Sequence, residues 1–377
     1  MHLSSLDLRG FRSLGDQRIE LPPEGIAVVA DNGSGKTNLL EAIYYLEIFR
    51  SFRGAPDEQL VRFGEDVFRV EGRMRLDDRV RTVAAAVDRR ARRKKVVVDG
   101  TEPERLGDAI GSVGAVVFSP ADVTIVSGSP SERRRFLDIV LSLSVPGYLG
   151  WLQRYRQVLL RRNALLREGA PAEQVSAWDA GLAEWGSRVV AARAEWIAGH
   201  AEAFRGHVRR IGAGTEAQLE YDGSVEPGGE EGEGSHEAIA GLLLRELERV
   251  RERERRRGLT VVGPHRDDLR IRARVRGAEG WTDLRAYGSG GQQRTAAVAL
   301  RMLEAESRRL TTGWQPVILL DDVFAELDPG RSRRILDWIE EQAVGQVILT
   351  APKAADVEVR GAVLPRWTIR DGVVGPL

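Results

Sequence analysis

From residue 1 to about 120, apolar positions alternate with polar ones or gather in short runs, the period-two signature of strands. The stretches Leu3–Leu8, Ile26–Val29, Phe68–Met74, Val83–Val87 and Val96–Val98 each predict one. A single helical pattern interrupts them, from Thr37 to about Phe49. After "VVFSPADV", Val116–Val123, the period changes to that of helices. "ERRRFLDIVLSLS" ends before Pro146, "YLGWLQRYRQVLLRRNALLREG" ends near Gly169, and a third stretch runs from about Glu173 to Ile211. "YDGSVEPGGEEGEGSH", Tyr221–His236, is a glycine and glutamate tract with no face to bury, so a disordered loop is expected there. A last helix is predicted from Glu237 to Arg257. From Leu259 strands and helices alternate again, and the apolar runs "PVILL" and "GQVILT" suit the centre of an α/β sheet.

Composition narrows the setting. The chain has 377 residues, enough for two or so domains with a sizeable core. Its formal net charge is zero, so any binding of nucleic acid must use local basic patches and not an overall positive field. It has no cysteine, which excludes disulfides and thiolate metal sites. No stretch approaches ~20 uninterrupted apolar residues, and the first residues lack the pattern of an export signal. The expectation is a cytoplasmic protein with no membrane partner.

Chemistry first concentrates in "IAVVADNGSGKTNLLEAIYYL", Ile26–Leu46, where an apolar strand runs into a small-residue turn and then a helix. Gly33, Ser34, Gly35, Lys36 and Thr37 complete the second half of the phosphate-loop pattern G-x-x-x-x-G-K-[ST]. Backbone N–H groups of such a loop, and the positive end of the helix behind it, favour an anion. Lys36 would reach the β and γ phosphates of a bound nucleotide, and Thr37 would ligate Mg2+. The loop residues Asp31, Asn32, Gly33, Ser34, Gly35, Lys36, Thr37 and Asn38 are therefore the candidate nucleotide site. Ala30 stands where the first glycine belongs, which the turn tolerates only if its φ is negative. Lysine is scarce: Lys36, Lys94, Lys95 and Lys353 are the only ones, and one of them falls on the phosphate position.

A second site element is "PVILLDDVFAELD", Pro316–Asp328, an apolar strand ending in two carboxylates. Asp321 suits the magnesium shell and Asp322 suits orienting or deprotonating an attacking water. Nearly 300 residues separate them from Lys36. A large insertion must therefore divide the two halves of one site. A third element is "YGSGGQQRT", Tyr287–Thr295, a serine and two glycines opening a helix, which makes another anion site.

Ser289, Gly290, Gly291, Gln292 and Gln293 resemble the signature motif of the ABC-type ATPases, and "FAELD" resembles their D-loop. Within that superfamily the chain most closely resembles the RecF family of bacterial recombination mediators. The matching stretches are "LRGFRSL", "NGSGKTNLLEAIYYL", "VVFSPADVTIVSGSPSERRRFLD", "YLGWLQRYRQVLLRRNALL", "GPHRDDL", "SGGQQRT" and "LLDDVFAELD", in the family's order over nearly the whole chain. Departures are Ala30, Gly290 where glutamine is commoner, and Phe52 where histidine is usual. The resemblance implies an α/β, Rad50-like ABC-type ATPase head built from both chain ends with an inserted α-helical lobe. The expected divisions are residues 1–130 and 259–377 for the head and 131–258 for the lobe, with the disordered loop at about 222–236. It also implies an ATP-dependent homodimer in which Ser289, Gly291 and Gln292 of one subunit face the nucleotide held by Lys36 and Thr37 of the other. Lys36, Asp322 and Ser289 are then the catalytic set of a weak, DNA-stimulated ATPase, slow because Asp322 replaces the glutamate many ABC proteins carry. Further implications are action in replication, recombinational repair and the SOS response, binding to duplex DNA near single-strand junctions, and partnership with RecR and RecO to load RecA.

Rival assignments share parts of this pattern. A long-armed chromosome-organising ATPase needs hundreds of heptad residues, which Pro146, Gly147 and the glycine tract interrupt. An ABC-family nuclease would need a catalytic domain where only about fifty residues follow Asp328. An ABC subunit of another complex, such as a transporter, would not account for "FSPADV" or "GPHRDDL". Within the latter, His265 and Asp267 either brace the start of the strand "LRIRARV" or sit near the nucleotide. Candidate DNA contacts are Arg92, Arg93, Lys94 and Lys95 in "DRRARRKK", which occupies a hairpin tip that could equally be plain solvated loop. Arg133, Arg134, Arg135, Arg161 and Arg162 are further candidates, whereas "ERVRERERRRG", Glu248–Gly258, interleaves its charges as a solvated helix face does.

Overall fold

In the computed structural model, which describes residues 1–377 apart from 213, 226–234, 275–278, 323–327, 342–344 and 354–363, the apolar runs found far apart in sequence lie side by side. Gly25–Val29, Val347–Ala351, Val317–Asp321 and Ala115–Phe118 are neighbouring parallel strands. Arg366–Arg370 and Val373–Pro376 complete a six-stranded sheet on the other side of Gly25–Val29. Residues such as Ile26, Val28, Ile318, Leu320 and Ile348 have no exposed surface, as expected of parallel strands covered on both faces. Gly25 is required at the start of its strand: φ is +99°, and a Cβ there would lie 1.8 Å from the Val347 carbonyl oxygen.

Helix Lys36–Ile48 packs on this sheet through its buried apolar positions, among them Leu39, Leu40 and Ile43. Val298, Met302 and Ala305 of helix Gly290–Thr312 and Ile335, Leu336 and Ile339 of helix Pro329–Glu341 join a core with Ala27, Val116, Ile318 and Leu349. A five-stranded antiparallel sheet, in the order Gln17–Glu20, His2–Arg9, Val67–Leu76, Arg79–Asp88, Arg93–Val98, belongs to the same unit. This unit comprises Met1–Asp122, Arg210–Gly212 and Val298–Leu377.

The other unit, Val123–Arg209 with Ala213–Ala297, is mainly helical. Helices Pro130–Ser144, Tyr148–Arg167, His236–Arg257 and most of Asp179–Ile211 accompany a small sheet of Ala217–Asp222, Asp268–Ala273 and Thr282–Asp283. Its core gathers Tyr155, Leu182, Val190, Ile239, Leu243 and Leu247. The expected two-part head with an inserted lobe is therefore present, with different divisions: residues 259–297 group with the lobe, not with the second half of the head.

Two local expectations need correction. The helix expected from about Glu173 to Ile211 is two, Ala172–Ser176 and Asp179–Ile211. The tract Tyr221–His236 is not loop throughout, because Tyr221 and Asp222 end a strand and Ser235 caps helix His236–Arg257 by accepting from the Ala238 N–H at 3.2 Å. Its residues 226–234 lie outside the described ones, as do residues 323–327 of the expected D-loop. No helix among the described residues is long and apolar enough to cross a membrane.

Candidate functional site

The carboxyl ends of the parallel strands meet the amino end of helix Lys36–Ile48, the usual place for a ligand in an open α/β sheet. Gly33 and Gly35 take left-handed φ values of 84° and 105°, which turns the chain tightly enough to aim the loop at the helix start. Ala30 is not among the residues with positive φ, so alanine is unstrained there. Among the described residues the N–H groups of Gly33, Gly35, Lys36 and Thr37 find no acceptor, and the helix has no side-chain cap. The Ser34 hydroxyl is buried without a partner among those residues. Unsatisfied donors converging on a helix N-terminus are what an anion would satisfy.

Lys36 is buried, contrary to the usual state of a loop lysine, and its ammonium donates to the carbonyls of Ala30 at 2.7 Å and Asp31 at 3.1 Å. It also stands 4.0 Å from a carboxylate oxygen of Asp322. Thr37 Oγ1 donates to Asp321 Oδ1 at 2.9 Å, closing a separation of 284 residues. The strand register that pairs Asp321 with Thr350 brings in a residue that sequence analysis passes over. Thr350 Oγ1 lies 3.2 Å from Asp321 Oδ1 and 3.3 Å from Asp322 Oδ1, and accepts from the Asp322 N–H at 3.1 Å. Its one signal in the sequence is a polar residue near the end of the apolar run "GQVILT".

Burial raises the Asp321 carboxyl above its ordinary value, and the charge of Asp322 adds to that, while the Thr37 and Thr350 hydroxyls pull it back. A cation beside it would relieve the same penalty. Thr37 and Asp321 supply two hard oxygens, which fits magnesium, a cation usually bound through one or two protein groups together with phosphate and water. Asp322 has a left-handed φ of 46°, which sets its side chain apart from that of Asp321 and leaves it about a quarter exposed.

Behind the loop sits a support that the sequence signals only as two glutamates within an apolar helix. Glu41 has no exposed surface and takes a forked pair of hydrogen bonds from Arg12, at 2.9 and 3.1 Å, together with one from the Ser51 hydroxyl. The adjoining Ser13 accepts from Asn38 Nδ2 at 2.9 Å, and so the Asn38 side chain braces the loop from outside.

The signature residues begin helix Gly290–Thr312. Ser289 Oγ accepts from the Gln292 N–H at 3.3 Å and Gln292 Oε1 accepts from the Ser289 N–H at 2.9 Å, a reciprocal cap. Ser289 and Gly290 are exposed, and Tyr287 just before them is 69% exposed. Asp31, Asn32, Gly33, Ser34, Gly35, Lys36, Thr37, Asp321 and Asp322 thus belong to one unit, and Ser289, Gly291 and Gln292 to the other.

The basic candidates divide sharply. The "DRRARRKK" segment is a hairpin tip as expected, between strands Arg79–Asp88 and Arg93–Val98. Arg92 and Arg93 there are exposed and have no ion pair among the described residues. Lys94 instead turns inward, 2.6 Å from Asp57, 2.6 Å from the Phe49 carbonyl and over the Tyr45 ring, while Lys95 faces Glu102 at 3.5 Å. Arg133 is buried, held in a fork by both oxygens of Asp268 at 2.7 and 2.8 Å, and Arg134 donates to the Asp267 carbonyl. Arg162 is more deeply committed, with Asp179, Glu254 and Thr260 at 2.7–2.9 Å. Its partner Glu254 has no exposed surface, so the charged stretch Glu248–Gly258 is not simply a solvated face. Arg133 and Arg162 are buried in these pairs and are withdrawn as DNA contacts, whereas Arg134 is half-buried.

His265 and Asp267 prove to be braces. His265 Nδ1 is 2.6 Å from the Tyr155 hydroxyl and Nε2 is 3.1 Å from the Thr260 carbonyl, and burial holds the imidazole down at about 4. Asp267 accepts from the Ser224 N–H at 2.8 Å, from its hydroxyl at 2.5 Å, and from the Tyr221 hydroxyl.

The RecF/RecN/SMC N terminal domain family matches residues 2–364. A DNA replication and repair protein RecF of Roseiflexus castenholzii is 35% identical over the whole of both chains. A solved structure of the recombination mediator protein RecF with ATP in the RecFOR pathway superposes with a TM-score of 0.88 at 31% identity, covering 100% of this chain and 97% of that one. A Smc head structure, at 18% identity and a TM-score of 0.58, shares the fold over 100% of this chain and 97% of its own.

Proposed function

The chain belongs to the RecF family of DNA replication and repair proteins, within the RecF/RecN/SMC group of ABC-type ATPases, and on that premise we propose that it is an ATP- and magnesium-operated switch on DNA. ATP closes two copies into a homodimer, and the dimer binds duplex DNA near single-strand gaps. With RecR and RecO it promotes loading of RecA. The observation that carries this proposal is the 2.9 Å hydrogen bond from Thr37 to Asp321, which brings loop and acidic strand end together as two oxygens suited to one cation.

Lys36 would exchange the carbonyls of Ala30 and Asp31 for phosphate oxygens, and the free N–H groups of Gly33, Gly35, Lys36 and Thr37 would take the remainder. Magnesium, when bound, neutralises developing phosphate charge. Thr37 and Asp321 would hold that cation, while Asp322 would orient the water and accept its proton. Ser289 and Gly291 act in trans, completing the partner's site, a role that fits the exposure of Ser289 and Gly290 at the helix start. The short reach of Asp322 makes hydrolysis slow, which prolongs the closed state.

Mixing two inactive proteins tests the shared site. Lys36→Met removes the phosphate cation, and Ser289→Arg blocks the signature contact by bulk and charge. Random pairing leaves roughly a quarter of all sites with an intact loop and an intact signature, so partial ATPase activity returns. No recovery at any ratio, in mixtures shown to contain mixed dimers, together with normal ATP-dependent dimerisation of Ser289→Arg, would refute the trans assignment.

A further inference from the structure

Phe63 is completely exposed, at 101% of its reference area. A single exposed apolar side chain is ordinary. Its mounting is not. The Glu65 N–H donates to the Arg62 carbonyl at 3.1 Å, closing a four-residue turn with Phe63 and Gly64 at its centre. Gly64 has φ +88°, which suits the third position of a type II turn.

Both ends of the turn are fastened. The Arg62 N–H donates to the Gly10 carbonyl at 2.7 Å, and its guanidinium holds Glu65 at 2.7 Å, Asp16 at 2.6 Å and the Leu14 carbonyl. On the other side the Asp66 carbonyl accepts from the Arg89 N–H at 2.8 Å. The Asp66 carboxylate holds Arg90 at 2.8 Å and Arg89 at 3.4 Å. The ring is therefore presented on a rigid support attached to the base of the arginine-rich hairpin tip. That tip is itself fixed, since Asp88 accepts from the Ala91 N–H at 2.8 Å.

Charge says what this surface fits. The local carboxylates Asp16, Glu65 and Asp66 are each taken by an arginine, whereas Arg92 and Arg93 are exposed with no ion pair among the described residues. What remains uncommitted is one flat apolar ring and, on the hairpin that Asp66 clasps, the exposed guanidiniums of Arg92 and Arg93. A stable protein interface needs ~800 Å² per partner around an apolar core, and one ring among arginines does not provide it. A polyanion with a free aromatic face matches it. A base inside an intact duplex has both faces covered by its neighbours, but a base at a gap does not.

We propose that Phe63 stacks on the unpaired base at a single-strand/duplex junction while Arg92 and Arg93 hold the phosphates beside it. A phenyl ring has no hydrogen-bonding atom, so stacking on it is tolerant of sequence. The ring adds affinity only where a base is unstacked, and the arginines add it everywhere. This inference rests on the DNA-binding function proposed above.

The test uses the full chain with ATP and compares binding to a blunt duplex and to a gapped duplex of equal length. Wild type is expected to favour the gapped DNA. Phe63→Ala is expected to weaken gapped binding by about 5- to 150-fold, the range of one lost base–aromatic stack, and to leave the blunt duplex unchanged. Phe63→Trp should keep the preference and show indole quenching, relative to wild type, on gapped DNA alone. Retained preference in Phe63→Ala, or equal losses on both DNAs, overturns the proposal, and so does a changed sedimentation coefficient of its ATP-bound dimer, which would make the ring a contact between copies. If wild type binds neither DNA, the DNA-binding function itself fails; if it binds but Phe63→Ala keeps the gap preference, only the stacking inference does.

Discussion

Replacing Arg162 with methionine removes the cation at the centre of the lobe while keeping most of the side-chain volume. Arg162 is 1% exposed and donates to Asp179 at 2.8 Å, Glu254 at 2.7 Å and Thr260 at 2.9 Å. Glu254, with no exposed surface, would be left with the Val261 N–H at 2.8 Å as its remaining hydrogen bond among the described residues. Breaking a buried pair from one side costs about 3–5 kcal/mol, because the stranded charge is neither solvated nor compensated. At ~2–4 °C per kcal/mol for a unit of this size, the lobe should melt roughly 6–20 °C lower in calorimetry. Arg162→Met with Glu254→Gln together should recover part of that loss, since no buried charge is then stranded on that side. A loss below about 1 kcal/mol, or no recovery in the double variant, would refute the assignment. So would a normal melting temperature combined with a lowered salt dependence of DNA binding, the outcome expected of a phosphate contact.

Asp322→Asn should retain ATP binding but lengthen the lifetime of the ATP-bound dimer by about 100-fold, as loss of a general base does; an unchanged lifetime would move the base elsewhere. His265 is held neutral by burial, with its pKa down at about 4, so its contribution to stability is full above about pH 6.5 and is lost as pH falls toward 4. Between pH 6.5 and 5 wild type should therefore lose ~2 kcal/mol more than His265→Gln in urea titrations, and parallel curves would contradict this. Arg92→Asn with Arg93→Ser should lower the slope of log affinity for duplex DNA against log salt by up to about 2, whereas Lys95→Ser should change it little because Glu102 already faces it; equal effects would be evidence against the division of the tip.

Much of the candidate nucleotide site is legible in the chain because its geometry is local. Gly33, Gly35, Lys36 and Thr37 fall within one turn, so the backbone conformations they permit and the helix start they precede follow from residue type and spacing. The same holds for "PVILL" and "GQVILT", whose lack of polar residues already requires cover on both faces. The fate of each arginine is another matter. Arg92, Arg133 and Arg162 look alike along the chain, yet Asp268 lies 135 residues from Arg133 and Glu254 lies 92 from Arg162, so only folding decides which guanidiniums meet water. Thr350 joins the two aspartates through strand register, not through any motif, and Phe63 gains its rigid support from residues on three separate segments, including Gly10, Asp16 and Arg89. Local backbone preference is set within about four residues, whereas charge burial and side-chain pairing depend on contacts that the order of residues does not display.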